Sequence, residues 1–345
     1  MKQVSVTEAV GKTLAHDLCR FAEGNSERTP FRKGRIVQEE DIPMLLSMGR
    51  DNLFVEDDDG GPLGMIHEEE AARRLAALCM NRGIRRSEPV EGKIELFSEI
   101  DGLFRIDLKR LTSLNSIPNI IIAARSSVSR VFAGDKLAGV KVVPLFIDEE
   151  TLRNAEKTSL GTPLFEVLPF TLKSAGLVIT GSEIAGGRIK DQFAPLLEKK
   201  LTDIGITLVK TIFTNDGVTN VLQAITEVRA LNPQLVICTG GMSVDADDST
   251  PAAIIESGAE IITYGAPVLP GSMFMLGYYD GGVPVMGVPG GALYKKNRGG
   301  IIDLVLPRIA AGVRITREDF VRMGNGGLCL GCEICHYPVC TYGRG

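Results

Sequence analysis

No hydrophobic run in the 345 residues approaches the ~18 apolar positions that a membrane-crossing helix requires. The opening Met1-Lys2-Gln3-Val4 does not lead into the apolar stretch of a signal peptide. Positive charge is also short. The 38 Lys and Arg face 43 Asp and Glu, and a net charge of −5 is the wrong sign for gripping a phosphate backbone. These shortages argue against a membrane or nucleic-acid partner and favour a cytoplasmic protein, while leaving room for a local basic pocket that binds a small anion. Histidine is scarce, and His16 and His67 stand isolated, as structural or surface residues do. Ser243 has no nearby His and Asp pattern that would make it a nucleophile, which argues against a hydrolase triad.

What is present is ordinary in bulk. The 44% hydrophobic and 23% charged content suit a globular chain, and the length suits two or three domains. The seven cysteines are an odd number. Cys19, Cys79 and Cys238 are scattered through apolar or helical contexts, as reduced thiols in a reducing compartment are. The other four all lie beyond residue 328.

From about residue 171 to 311 strands and helices alternate. Residues 176–181 read as a short buried strand. A helix follows with Phe193, Leu196, Leu197, Leu201 and Ile204 on one face, Pro195 in its first turn and Gly205 as its left-handed cap. Residues 206–213 form the next strand. Asp216 precedes a helix bearing Val218, Val221, Leu222, Ile225 and Val228, which Asn232-Pro233 ends. The Gly- and Pro-rich stretch 266–289 holds a strand at 283–287, and a last helix runs over 299–310. Single helices between strands imply a parallel sheet, whose ligands bind beyond the carboxyl ends of the strands. The first 170 residues differ. Short β-rich segments at 120–123, 128–132 and 140–147 follow a helix over 68–81 and an acidic, Gly-rich link at 56–64, which describes an α+β domain.

The most informative segment is Leu235-Val236-Ile237-Cys238-Thr239-Gly240-Gly241-Met242-Ser243, followed by Asp245, Asp247, Asp248 and the helix start Thr250-Pro251. Glycines where a strand breaks let backbone N–H groups approach a ligand, and the next helix N-terminus adds partial positive charge; together they hold an anion. Three more clusters fall at neighbouring ends: Thr180-Gly181-Ser182-Glu183 with Gly186-Gly187-Arg188-Ile189-Lys190-Asp191, Asn215-Asp216-Gly217, and Pro270-Gly271-Ser272 with Pro289-Gly290-Gly291. Each has a plain alternative: Asp216 as a helix cap, Ser182 as a cap, Gly186-Gly187 as a turn, Asp245 and Asp247 as solvated charges, Met273 and Met275 as packing.

In order and spacing, residues 171–311 resemble the molybdopterin-binding domain of molybdenum cofactor biosynthesis enzymes. The family pattern runs T-G-D-E-L, G-x-x-x-D, D-D or N-D, T-G-G-x-S-x-G-x-x-D, P-G-K-P and P-G-N-P. Thr180-Gly181, Glu183, Asp191, Asp216, Thr239-Gly240-Gly241, Ser243, Asp248 and the Pro270-Gly271 and Pro289-Gly290 pairs match it. More weakly, residues 6–18 and 34–55 resemble accessory segments of the molybdenum-inserting member, molybdopterin molybdenumtransferase, whose S-x-M-D-G-[YF]-A motif is absent. Ser182 replaces the Asp of G-D-E-L, Ser272 the Lys of P-G-K-P, and Gly291 and Ala292 the end of P-G-N-P. The lost lysine removes a charge-assisted contact to the oxyanion, for which Lys295, Lys296 and Arg298 stand close downstream.

The resemblance implies an α/β fold: a three-layer molybdopterin-binding domain with a mostly parallel sheet over 171–312, an α+β domain over 1–170 before it, and a tail over 313–345. It implies that Thr180, Gly181, Ser182, Asp191, Thr239, Gly240, Gly241, Ser243, Pro270, Gly271, Pro289 and Gly290 hold molybdopterin or its adenylated form. Glu183, Asp216 and Asp248 are the catalytic candidates, with Mg²⁺ on Asp216 and Asp248 neutralising a phosphoanhydride. The leading expectation is insertion of molybdate or tungstate into adenylated molybdopterin. The alternatives are a molybdopterin or cofactor carrier that docks on a molybdoenzyme or cofactor-synthesis partner through its tail, and a nucleotide pyrophosphate hydrolase on the same fold. A homodimer is compatible with all three. The tail spaces Cys329, Cys332, Cys335 and Cys340 as C-x₂-C-x₂-C-x₄-C, with His336 among them, which suits Zn²⁺ or an iron–sulfur cluster; the plain alternative is a loose, metal-free tail.

Overall fold

The run from Ala175 to Thr180 is buried at every residue, as in a strand covered on both sides. In the structure, a computed structural model that describes residues 1–20, 30–56, 62–159, 162–186, 191–243, 245, 248–293, 299–338 and 340–343, it lies in β1 (Ser174–Thr180). β2 (Thr207–Thr214), β3 (Val236–Thr239), β4 (Glu260–Tyr264), β5 (Met275–Tyr278) and β6 (Pro284–Val288) complete a six-stranded sheet of order β2-β1-β3-β6-β5-β4. β2, β1, β3 and β6 pair in parallel, whereas β5 and β4 are antiparallel. The chain divides into two compact units, and this sheet belongs to the second, made of Asp101–Leu103, Val128–Arg130 and Leu168–Gly345.

Alternation along the strands sorts the core. Leu177, Ile179, Ile237, Met286 and Val288 join one apolar cluster with the helices α2 (Phe193–Thr202) and α5 (Ile301–Ala310); a short α1 (Ser182–Ala185) precedes α2. Val178, Val236, Cys238 and Val285 join another with α3 (Val218–Arg229) and α4 (Thr250–Glu256). Each fully buried Leu or Ile contributes about 1.5–3 kcal/mol, so these two faces hold the sheet together. Burial also pushes the Cys238 thiol up to about 12, leaving it protonated and unreactive.

The first unit comprises Met1–Ile100, Phe104–Ser127 and Val131–Val167. Its four-stranded antiparallel sheet, built from Ile84–Arg86, Lys93–Ser98, Lys136–Val142 and Ile120–Ala124, buries Ile94, Leu96, Val140 and Ile122 together with Ala71, Leu75 and Cys79 of the helix Glu68–Cys79. A separate hairpin-like pair, Lys2–Ser5 with Asn52–Val55, closes a smaller core around Leu14, Phe31 and Leu45. No helix among the described residues is long and apolar enough to cross a membrane.

Two expectations from the sequence need correction. Residues 266–289 hold β5 as well as β6, and β4 lies just before them. The segment expected as one strand at 140–147 is split between Lys136–Val142 and Phe146–Asp148. In the first case four or five residues carry too little periodicity to read; β5 is paired by β6, and β4 by β5.

Candidate functional site

β1, β2 and β3 end side by side, and three buried threonines fix how their loops leave. Gly240 and Gly241 take φ of +87 and +52 after Thr239, a turn that favours glycine. A Cβ on Gly240 would collide with the Thr180 carbonyl and Oγ1, so the two strand ends are in contact. Thr250 Oγ1 donates to Gly240 O at 2.8 Å, and Thr239 Oγ1 donates to Val288 O at 2.9 Å. Thr180 is 2% and Thr239 0% exposed, so both side chains support the loop from beneath and do not reach a ligand.

Asp216 is not the cap of α3, whose N-cap is Gly217. Asp216 Oδ2 accepts from Ser182 N and from Ser182 Oγ, both at 2.9 Å, tying the loop after β2 to the one after β1. Gly217 N donates to Ser249 Oγ at 2.9 Å, extending the tie to the start of α4. Asp216 Oδ1 has no partner among the described residues. Glu183 is exposed on α1. Asp191, expected to hold the ligand, instead accepts from Phe193 N at 2.8 Å and Ala194 N at 3.0 Å. It satisfies two of the orphan amides that begin α2, a sufficient structural reason for a carboxylate there.

Three loops enclose a cleft of about 390 Å³: Gly240 to Ser243 with Asp248, Pro270 to Met273, and Pro289 to Ala292. That volume is in the range of small-molecule sites. Of the residues singled out in the sequence, Gly240, Gly241, Ser243, Asp248, Pro270, Gly271, Pro289 and Gly290 line it; Thr180, Gly181, Ser182, Glu183, Asp191, Asp216 and Thr239 are not among its described lining residues. Met242, Ser272, Met273, Gly291 and Ala292 join the lining; Met242 follows Gly241 in the strand-end segment, and the other four follow the Pro-Gly pairs. Met275, by contrast, is core. The backbone N–H groups of Gly241, Met242 and Ser243 donate to no described residue, so the loop offers a row of amides at the cleft. Asp248 is the one ionisable side chain in the described lining; its Oδ2 accepts from Asp245 N at 3.1 Å. Arg188, Lys190, Asp247, Lys295, Lys296 and Arg298 lie outside the described residues. Among the described residues no three His, Cys, Asp or Glu side chains are grouped so as to hold a metal ion by themselves.

Residues 176–322 match the family model described as "Probable molybdopterin binding domain", and residues 3–57 match one described as "Domain of unknown function". The match at 176–322 lies within the second unit. The chain is 29% identical over 89 residues to a CinA-like protein of Mycobacterium sp. (strain MCS), covering 26% of this chain and 21% of that one. It thus spans about a fifth of the length of the curated relatives it matches. Among solved structures it is similar to a putative molybdenum cofactor biosynthesis protein from Corynebacterium diphtheriae, at 19% identity and a TM-score of 0.33 over 40% of this chain and 93% of that one. It is also similar to the tungsten cofactor synthesizing protein MoaB from Pyrococcus furiosus, at 21% identity and a TM-score of 0.31 over 35% and 84%.

Proposed function

We propose that the cleft binds molybdopterin by its phosphate and, on the adenylated form, inserts molybdate or tungstate with release of AMP. The observation that carries this reading is the row of amides from Gly241 to Ser243, which bond to no described residue and belong to residues lining the cleft at the end of β3. Pro270-Gly271 and Pro289-Gly290 form the opposite walls, and Ser243 and Ser272 add hydroxyls without charge.

A cation fits beside such a phosphate. Asp248 borders the cleft, and neither its second carboxylate oxygen nor Oδ1 of Asp216 on the neighbouring loop has a hydrogen-bond partner among the described residues. Mg²⁺ commonly sits on one or two carboxylates plus substrate phosphates, and when bound it supplies charge neutralisation of the phosphoanhydride. Asp248 and Asp216 would hold it. Glu183, exposed beside Ser182, would position the incoming oxyanion.

A second reading, a non-enzymatic molybdopterin carrier, is favoured by the described cleft lining, which holds a single ionisable side chain, Asp248, and Ser272 in place of a lysine. Isothermal titration with molybdopterin and adenylated molybdopterin, anaerobically and with or without Mg²⁺, separates the two. Tight binding with Mg²⁺-dependent AMP release on adding molybdate supports insertion, and binding without AMP release supports the carrier. Turnover of an ordinary dinucleotide without pterin binding would instead select a pyrophosphate hydrolase.

A further inference from the structure

The residues after α5 are not a loose tail. Leu328 pairs with Leu269 in a parallel bridge, Leu269 N donates to Gly327 O at 2.8 Å, and Cys329 N donates to Leu269 O at 2.8 Å. Further on, Tyr337 Oη donates to Asp303 O at 3.0 Å. Its ring lies so close to Gly299 that a Cβ there would stand 2.8 Å from Tyr337 Cγ. Gly343 N donates to Gly326 O at 3.0 Å and closes the loop on itself. Leu269 immediately precedes Pro270, so the loop is fastened one residue from the wall of the cleft.

Inside this loop Cys329, Cys332, Cys335 and Cys340 all line one cavity with the rings of Tyr337 and Tyr342. The cavity measures about 50 Å³, several times the ~10–15 Å³ that admits one water. Among the described residues no three His, Cys, Asp or Glu side chains are grouped closely enough to hold a single metal ion. A cuboidal cluster asks for something different: thiolates spread around a space large enough for several irons. One residue of the lining also carries a buried polar atom with no hydrogen-bond partner among the described residues. Tyr342 is 4% exposed, and its hydroxyl makes no hydrogen bond to a described residue. A buried O–H donor left unpaired costs about 1–3 kcal/mol, and thiolate or sulfide sulfur in this cavity would accept from it.

We infer that Cys329, Cys332, Cys335 and Cys340 ligate a [4Fe–4S] cluster in this cavity, with the Tyr342 hydroxyl donating to its sulfur. The inference is independent of what the cleft binds, although the Leu269 link places the cluster beside that cleft.

The test is metal and sulfide analysis of the full chain, purified without oxygen and also reconstituted with ferrous iron, sulfide and thiol reductant. The expected result is about four iron and four acid-labile sulfides per chain, with visible absorption that dithionite bleaches. Cys332 is the exposed thiol of the set, so Cys332→Ser leaves the packing intact yet should lose most of the iron; Cys340→Ser should do the same. Cys19→Ser, in the other unit, should retain it. Stoichiometric zinc without sulfide, no metal after reconstitution, or iron unchanged in both Cys332→Ser and Cys340→Ser would each overturn the assignment. Loss on His336→Ala with retention on Cys340→Ser would overturn the ligand set.

Discussion

Asp216 takes two hydrogen bonds from one residue, Ser182, through its backbone N and its Oγ, both to Oδ2 and both at 2.9 Å. A single carboxylate thereby sets the spacing of the loops that follow β1 and β2. Removing it orphans two part-buried donors, so Asp216→Ala should cost about 2 kcal/mol. Ser182→Ala removes the hydroxyl donor and a long acceptor for Asp216 N at 3.4 Å, and should cost about 1 kcal/mol. Urea unfolding of the second unit checks the order. Equal losses in the two variants would mean that the backbone bond contributes nothing.

Asp191 separates a supporting role from a ligand role more sharply. Its two carboxylate oxygens are occupied by Phe193 N and Ala194 N at the start of α2. Asp191→Ala should lower stability by about 0.5–2 kcal/mol, the usual cost of losing such an acceptor, and leave molybdopterin affinity unchanged. A tenfold loss of affinity at unchanged stability would restore Asp191 to the binding site.

Asp191 and Asp216 also show where sequence reading stops. A carboxylate at the head of a helix looks the same in sequence whether it accepts backbone amides, bridges two loops or touches a ligand, because all three need an acceptor next to a turn. The strand ends at Thr180-Gly181 and Thr239-Gly240 were legible, since continuous apolar runs that stop at glycine mark buried parallel strands. The helical face of Phe193, Leu197 and Leu201 was legible for the same reason of period. β4 and β5 were not, because four or five residues are too few to show a period. The loop of four cysteines was legible as a spacing, but its anchoring through Leu269, Asp303 and Gly326 lies in contacts with distant residues.

His67 makes the first unit sensitive to acid. Its Nδ1 accepts from Glu69 N at 3.3 Å and faces Lys33 Nζ at 3.3 Å, while Nε2 meets the Ala15 carbonyl at 3.0 Å. Burial first, and the Lys33 charge second, hold its pKa below the ordinary 6.5. The folded unit therefore binds this proton less readily than the unfolded chain does. The resulting stability is fully present above about pH 6.5 and is lost as pH falls through the lowered folded value. Thermal melts across this window should show the decline, and His67→Gln should flatten its share of it. A stability that rises as pH falls from 6.5 would contradict the neutral imidazole.

Gly240 and Gly291 both line the cleft, yet they should respond oppositely to the same methyl group. Gly240 sits at φ +87 against the Thr180 carbonyl, whereas Gly291 has nothing within 4 Å of an added Cβ. Gly240→Ala carries about 1–2 kcal/mol of backbone strain before the collision is counted, and its relief must move the amides of Gly241 to Ser243. Molybdopterin affinity should fall at least about tenfold, or ~1.4 kcal/mol. Gly291→Ala should change stability by no more than ~0.5 kcal/mol. If titration gives both variants the parent affinity, the amide row is not where the phosphate sits.

Asp248 is the most direct handle on the proposed reaction. Asparagine keeps the shape and the acceptor for Asp245 N but removes the charge that lines the cleft. The Asp248→Asn fold should be intact, with unfolding within ~1 kcal/mol of the parent. Molybdopterin should bind at least as well without Mg²⁺, because a carboxylate beside a phosphate repels it. With Mg²⁺ and molybdate, AMP release should drop by about 100-fold, or ~2.7 kcal/mol of transition-state stabilisation. The two readouts move in opposite directions only if Asp248 acts through a cation. A variant that loses affinity in the absence of Mg²⁺ would make the carboxylate a direct ligand of the pterin, and unchanged Mg²⁺-dependent turnover would remove it from the chemistry altogether.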